Sequence, residues 1–91
     1  MVRRRMARSK HGALVEFGQR VRELRQARRL SQEDLASLAG VHRTYVGMVE
    51  RGEKNVTLLN ILRLARGLGC SAAELLPASW QVPLPSPIAE V

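Results

Sequence analysis

The chain reads as an all-α domain of five short helices, with a basic arm before it and a Pro-rich apolar tail behind it. Three observations predict this. Aromatic residues are scarce, one Phe, one Tyr and one Trp in 91 residues, while Leu, Ala and Val are frequent, a balance that suits helices rather than sheets. Between residues 13 and 76 apolar side chains recur at three- and four-residue intervals, punctuated by residues that cap helices. Beyond them four prolines fall within residues 77–91, which excludes a continuous helix or a central strand there. The expected organisation is therefore an arm over 1–12, one domain over 13–76 and a tail over 77–91. A domain this small buries a modest core, so a compact bundle or a partner subunit is expected.

Residues 1–10 hold five basic side chains, Arg3, Arg4, Arg5, Arg8 and Lys10, and no acidic one. Without periodicity, this arm reads either as a solvated, mobile extension or as one that follows phosphates or enters a minor groove. In the whole chain 15 basic residues stand against 8 acidic ones, and a net charge of +7 favours a polyanionic partner, nucleic acid or an acidic membrane.

The first helix is expected over residues 13–28. Leu14, Phe17, Val21 and Leu24 share one face, with Arg20, Arg22, Arg25 and Arg28 between them. Arg29 then takes the left-handed position where Gly usually closes such a helix, at a cost of about 1 kcal/mol. Ser31 caps the second helix, Gln32, Glu33 and Asp34 fill its first turn, and Asp34 completes a capping box. Its predicted apolar face is Leu35, Ala36, Leu38 and Ala39; Gly40 turns the chain and Val41 plugs the corner.

A third helix over residues 43–51 ends at Gly52, with Val46 and Val49 facing inward and everything else outward. After the polar loop GEKNV, Thr57 caps a fourth helix whose predicted buried face is Leu58, Ile61, Leu62, Ala65 and Leu68. Ser71 and Glu74 form a further capping box, opening a short fifth helix that carries Leu75 and Leu76 to Pro77. In the tail, Trp80, Val82, Leu84 and Ile88 are too apolar for an ordinary linker. The tail reads either as a floppy extension or as a segment that packs on its own domain or on a partner.

Arg25, Ser31-Gln32, Leu35-Ala36, Gly40-Val41, Glu50-Arg51-Gly52 and the run LARGLG together resemble the helix-turn-helix family of phage repressors, Cro proteins and Xre-type regulators, over residues 13–76. Within it, HRTYVGMVERGEKNVTL is most similar to the controller proteins of restriction–modification systems. The resemblance implies a repressor-like helix-turn-helix domain that binds double-stranded DNA and regulates transcription. It further implies a homodimer on a near-palindromic operator, with two recognition helices about 34 Å apart. Two residues depart from the pattern. His42 stands where Ser, Thr or Asp usually caps the recognition helix, and Gly47 where a polar residue faces DNA.

In this architecture the first residues of the recognition helix meet base edges in the major groove, here Arg43, Thr44 and Tyr45. Arg43 can donate twice to guanine O6 and N7, a pairing that discriminates by about 1 to 3 kcal/mol; the alternative is a solvated side chain or a phosphate contact. Thr44 offers a hydroxyl and a methyl, to a thymine methyl or a phosphate. The resemblance suggests that Tyr45 packs its ring and sends its hydroxyl to a phosphate. Gly47 and Met48 complete the face, the glycine costing roughly 1 kcal/mol against Ala but letting the backbone approach the groove floor.

Phosphate contacts are expected from Gln32, beside the free N–H groups of its helix start, and from Arg20, His42, Arg51, Lys54 and Asn55. Arg25 and Glu50 are implied as a partly buried ion pair that holds the reading helix at its angle. Leu59 lies about 100° round from Leu58, away from the predicted core set, and with Leu76 and Trp80 it forms the candidate dimer surface.

No set of nucleophile, acid and base is visible, since His11 lies in the arm, His42 at the turn and Cys70 in a corner expected to be buried. Neither catalysis nor a metal or cofactor is expected. One cysteine excludes an internal disulfide, and no apolar run suits a signal peptide or a membrane span, so a cytoplasmic protein is expected. The alternative function is an antitoxin or other interaction module whose tail, residues 77–91, binds a protein partner. General RNA or membrane binding through the arm is a third reading.

Overall fold

The computed structural model describes residues 12–78, which form α1 (Gly12–Ala27), α2 (Gln32–Ala39), α3 (Arg43–Glu50), α4 (Leu58–Leu68) and one 3-10 turn, Ala72–Glu74. The basic arm up to residue 11 and the tail from residue 79, Trp80 included, lie outside the described residues. Among those described there is no strand, and no helix is long and apolar enough to cross a membrane.

The local signals translate directly into caps. Arg29 sits at φ 57, in the left-handed region as expected, and lets the Leu30 N–H return to the Arg25 carbonyl. Ser31 accepts from the Asp34 N–H while Asp34 accepts from the Ser31 N–H, both at 2.9 Å. Gly40, at φ 74, ends α2 and donates to the Ala36 carbonyl. Thr57 caps α4 by accepting from the Asn60 N–H at 3.1 Å. Ser31 and Thr57 satisfy first-turn amides, and the turns at Arg29 and Gly40 satisfy last-turn carbonyls, that the helices cannot pair internally.

The expected fifth helix is corrected to a single 3-10 turn. Its Ser71–Glu74 capping box does form, but only a few residues separate that cap from Pro77, and the bonds that close are Glu74 N–H to Ser71, Leu75 N–H to Ala72 and Leu76 N–H to Ala73. Even so, the turn drives Leu75 into full burial.

Phe17, Val21, Leu35, Val46, Val49, Leu64, Leu68 and Leu75 make the core, with Ala36, Ala39 and Ala65 filling between them. Three expected inward positions are corrected. Leu38 on α2 is 56% exposed, and on α4 Leu58 and Leu62 are 69% and 48% exposed. The buried stripe of α4 is Leu64, Ala65 and Leu68, with Ile61 partly covered. α2 packs chiefly on α4 and α3, and α1 on α3.

At Gly18 the α1–α3 contact is a close approach of backbone. A Cβ built on Gly18 would lie 2.1 Å from the Val49 carbonyl oxygen and 2.9 Å from that of Glu50, so only glycine lets the two helices come this close. No apolar pattern marks Gly18, yet it seats α1 against the C-terminal end of α3.

Candidate nucleic-acid interface

α2, the Gly40–Val41 corner and α3 form the helix-turn-helix, and the geometry of α3 is set at its C-terminal end. Val46 and Val49 are buried at three-residue spacing, and Glu50 follows on the same side. The Glu50 side chain is 4% exposed and the Arg25 side chain 11%. Arg25 Nε donates to Glu50 Oε2 at 2.6 Å and Arg25 Nη2 to Oε1 at 3.1 Å, the bidentate fork that a guanidinium makes with a carboxylate. Arg25 Nη1 donates to the Leu30 carbonyl at 2.8 Å, and Gln32 Nε2 adds a third donor to Glu50, at 3.0 Å from Oε1. One buried cluster thus ties α1, the α1–α2 turn, α2 and α3 together.

Gln32 was expected beside DNA phosphate; its amide is instead directed at Glu50, and the side chain is half-buried. Gly47 was expected on the outer face, and that placement is corrected. It is buried, with the Arg51 guanidinium and the Gln32 amide 3.2 to 3.8 Å from where a Cβ would stand. A Cβ here would press on the Arg51 guanidinium, a flexible tip that would give by a few tenths of an ångström, and would only touch the Gln32 amide, so the glycine leaves room within the protein.

At the N-terminal end of α3, Arg43 and Thr44 are exposed, and Met48 one turn on is half-buried. His42 has the extended backbone of an N-cap, φ −77 and ψ 147, but its ring makes no cap hydrogen bond, as its departure from Ser or Thr suggested. Tyr45 packs its ring against the core while its hydroxyl accepts from Asn60 Nδ2 at 3.0 Å. Asn60 in turn accepts from Arg63 Nη1 at 2.9 Å. Neither Asn60 nor Arg63 was singled out in the sequence; the one hint was the position of Asn60 in the first turn behind the Thr57 cap.

Arg51, Lys54 and Asn55 are exposed just after α3, with Arg51 paired to Glu53 at 3.0 Å. Arg20 does not join them. It lies about 200° round α1 from Gly18, on the side away from α3. Its Nε donates to the Glu74 carbonyl at 2.9 Å and its Nη1 is 3.5 Å from Glu23. Arg20 therefore pins the C-terminal turn to α1, and its expected phosphate role is withdrawn.

Of the candidate dimer residues, Leu59 is 63% and Leu76 50% exposed, and Trp80 lies outside the described residues. Leu59 borders a shallow groove with Leu62, Arg63 and Arg66, and Leu58 is exposed beside it. Cys70 is half-buried, and burial, followed by the Glu74 charge, pushes its thiol up. That is the wrong direction for a nucleophile.

A helix-turn-helix family profile matches residues 21–75. The chain is 50% identical over 60 residues to control protein C.SmaI of Serratia marcescens, covering 66% of this chain and 71% of that protein. Against control protein C.BamHI of Bacillus amyloliquefaciens it is 44% identical over 61 residues, covering 66% and 75%. The crystal structure of the restriction-modification controller protein C.AhdI from Aeromonas hydrophila superposes with a TM-score of 0.68 at 60% identity, covering 69% of this chain and 96% of that one.

Proposed function

The chain belongs to the Xre-like helix-turn-helix family of DNA-binding regulators, and from that premise we propose that it is a sequence-specific controller of transcription in a restriction–modification system. It is a DNA-binding protein and not an enzyme. Its operator is near-palindromic double-stranded DNA, bound by a homodimer that places one α3 in each of two successive major-groove turns.

The observation that carries this reading is the asymmetry of α3. Its C-terminal end is clamped by the buried Arg25–Glu50–Gln32 cluster, while its N-terminal end presents Arg43 and Thr44 to solvent. A helix held so rigidly at one end, with an arginine exposed at the other, suits the direct reading of base edges. Arg43 is the guanine reader, Thr44 and Met48 make groove contacts, and His42, Arg51, Lys54 and Asn55 follow the phosphates. Gly47 acts indirectly, by letting the Arg51 guanidinium lie close over α3. The exposed Leu59 and Leu76 supply the apolar part of the dimer surface. The protein acts in the cytoplasm, where the DNA is.

Selection of bound duplexes from a random pool, followed by sequencing, tests all of this together. The expected result is two inverted half-sites one helical turn apart, with a salt dependence that weakens binding steeply between about 50 and 200 mM. On that operator Arg43→Ala loses about 1 to 3 kcal/mol per half-site and relaxes preference at one base pair. Recovery of no enriched sequence, or equal losses for Arg43→Ala on operator and random duplex, rules the base-reading assignment out.

A further inference from the structure

Tyr45 is the only tyrosine in the chain, and its hydroxyl sits at the end of a short polar relay that begins on α4. The direction of that relay follows from chemistry. A guanidinium has donors and no acceptor, so the Asn60 atom that meets Arg63 Nη1 at 2.9 Å is its carbonyl oxygen. That fixes the amide, and the Asn60 NH2 group is the one that faces Tyr45, at 3.0 Å. The phenolic oxygen is thereby occupied as an acceptor, and its own proton is left without an acceptor among the described residues.

We propose that Asn60 is a positioning residue for DNA recognition, which fixes the Tyr45 hydroxyl as a donor toward an acceptor atom on DNA, a phosphate oxygen or a base-edge O or N. This rests on the reading of α3 as the DNA-facing helix. A free phenol both donates and accepts; one already accepting from an amide offers only its proton, and so favours acceptor atoms and disfavours the amino groups of adenine and cytosine. Arg63 determines the polarity through its bond to the Asn60 carbonyl. It stands on the same exposed face of α4 as Leu59 and Leu62.

The test reverses the relay. In Asn60→Asp the carboxylate still pairs with Arg63 but can only accept, so it takes the phenolic proton away from DNA. Affinities for the selected operator and a scrambled duplex are measured for Asn60→Asp, Tyr45→Phe and the double variant, with folding checked by circular dichroism. Tyr45→Phe is expected to weaken operator binding about two- to tenfold per half-site, the worth of one neutral hydrogen bond. Loss on both duplexes assigns the acceptor to phosphate, and loss on the operator alone to a base.

Asn60→Asp also adds a negative charge, which weakens binding in any background. Its loss is therefore expected to be larger with Tyr45 intact than in the Tyr45→Phe background, by the same two- to tenfold that Tyr45→Phe costs, about one hydrogen bond. Independently, the Raman doublet of the single tyrosine, whose intensity ratio reports whether a phenol donates or accepts, moves from acceptor toward donor character in unliganded Asn60→Asp. Equal losses in both backgrounds, or an unchanged doublet, overturn the proposal. Should Tyr45→Phe bind like wild type while Arg43→Ala still relaxes selectivity, the relay fails and the DNA-facing reading stands. Should neither substitution affect operator binding, both fail.

Discussion

Arg25→Ala is the perturbation that most directly probes how α3 is held. The substitution removes both charge-assisted bonds to Glu50 and the link to the Leu30 carbonyl, and leaves a carboxylate that is 4% exposed with Gln32 as its remaining side-chain donor. Stranding a buried charge in this way costs about 3 to 5 kcal/mol. A domain of this size has a total stability of roughly 3 to 10 kcal/mol, at 0.05 to 0.15 kcal/mol per residue. Arg25→Ala is therefore expected to bring the protein close to unfolding at 25 °C.

Glu50→Ala strands the guanidinium instead and is expected to cost a similar amount, whereas the double variant buries no unpaired charge. Urea titrations followed by far-ultraviolet circular dichroism measure all three. The double variant should be less destabilised than the sum of the singles by about 2 kcal/mol or more, because charge pairs of this kind are strongly coupled. A cost below about 1 kcal/mol for Arg25→Ala, with singles that add to the double, would match an exposed pair. It would refute the claim that this cluster sets the angle of α3.

Three further outcomes are expected. Gly18→Ala places a methyl 2.1 Å from the Val49 carbonyl, which no rotamer relieves, and should lower stability by about 1 to 3 kcal/mol by forcing α1 and α3 apart; a thermal melt like that of wild type would show that the contact gives easily. Arg29→Gly removes the strain of a side chain at φ 57 and should raise stability by up to about 1 kcal/mol, read as a shift in the urea midpoint without change in slope; a lower midpoint would sink the strain argument. The Ser31 backbone N–H, followed by its hydroxyl, holds the Asp34 carboxyl below the usual aspartate range. Its contribution to stability is thus complete above that range and is lost as pH falls through the lowered folded-state value, so the gap between wild type and Asp34→Asn should close on acidification; a gap that widens would contradict the cap.

Features set within a few neighbouring residues were legible in the sequence. The Ser31–Asp34 box, the Thr57 cap, the turn at Gly40 and the left-handed Arg29 all depend on local backbone geometry, which residue type largely decides. The Arg25–Glu50 pair spans 25 positions and came from family resemblance, because neither residue alone indicates its partner. The buried face of α4 was misread because Leu58, Leu59, Ile61, Leu62, Leu64 and Leu68 supply more than one stripe at helical spacing. Packing against α2 chose the stripe through Leu64, Ala65 and Leu68. Gly18 carried no signal, and Gly47 stood out only as a departure from the family's polar residue without showing which way it faced, since an apolar pattern cannot mark a residue whose contribution is the absence of a side chain.

The number of anchors on α3 matters because a short helix can err in two ways. Its eight residues span only about 12 Å, and Val46 and Val49 set its inner face against the core, so the ends of the helix refine an orientation that packing already restricts. With side chains reaching roughly 6 Å from the axis, a turn of about 10° moves a tip by about 1 Å, enough to spoil a hydrogen bond to a base edge. The second anchor answers this. Gly18 and the Arg25–Glu50 pair grip one end from α1, while Asn60, on α4, holds the Tyr45 hydroxyl at the other end and on a different side. These two holds, from two helices, add to the restraint that the buried Val46 and Val49 give. A change at Asn60, like one at Glu50, is therefore expected to alter the direction in which Arg43 leaves the surface, although neither is among the residues proposed to read bases.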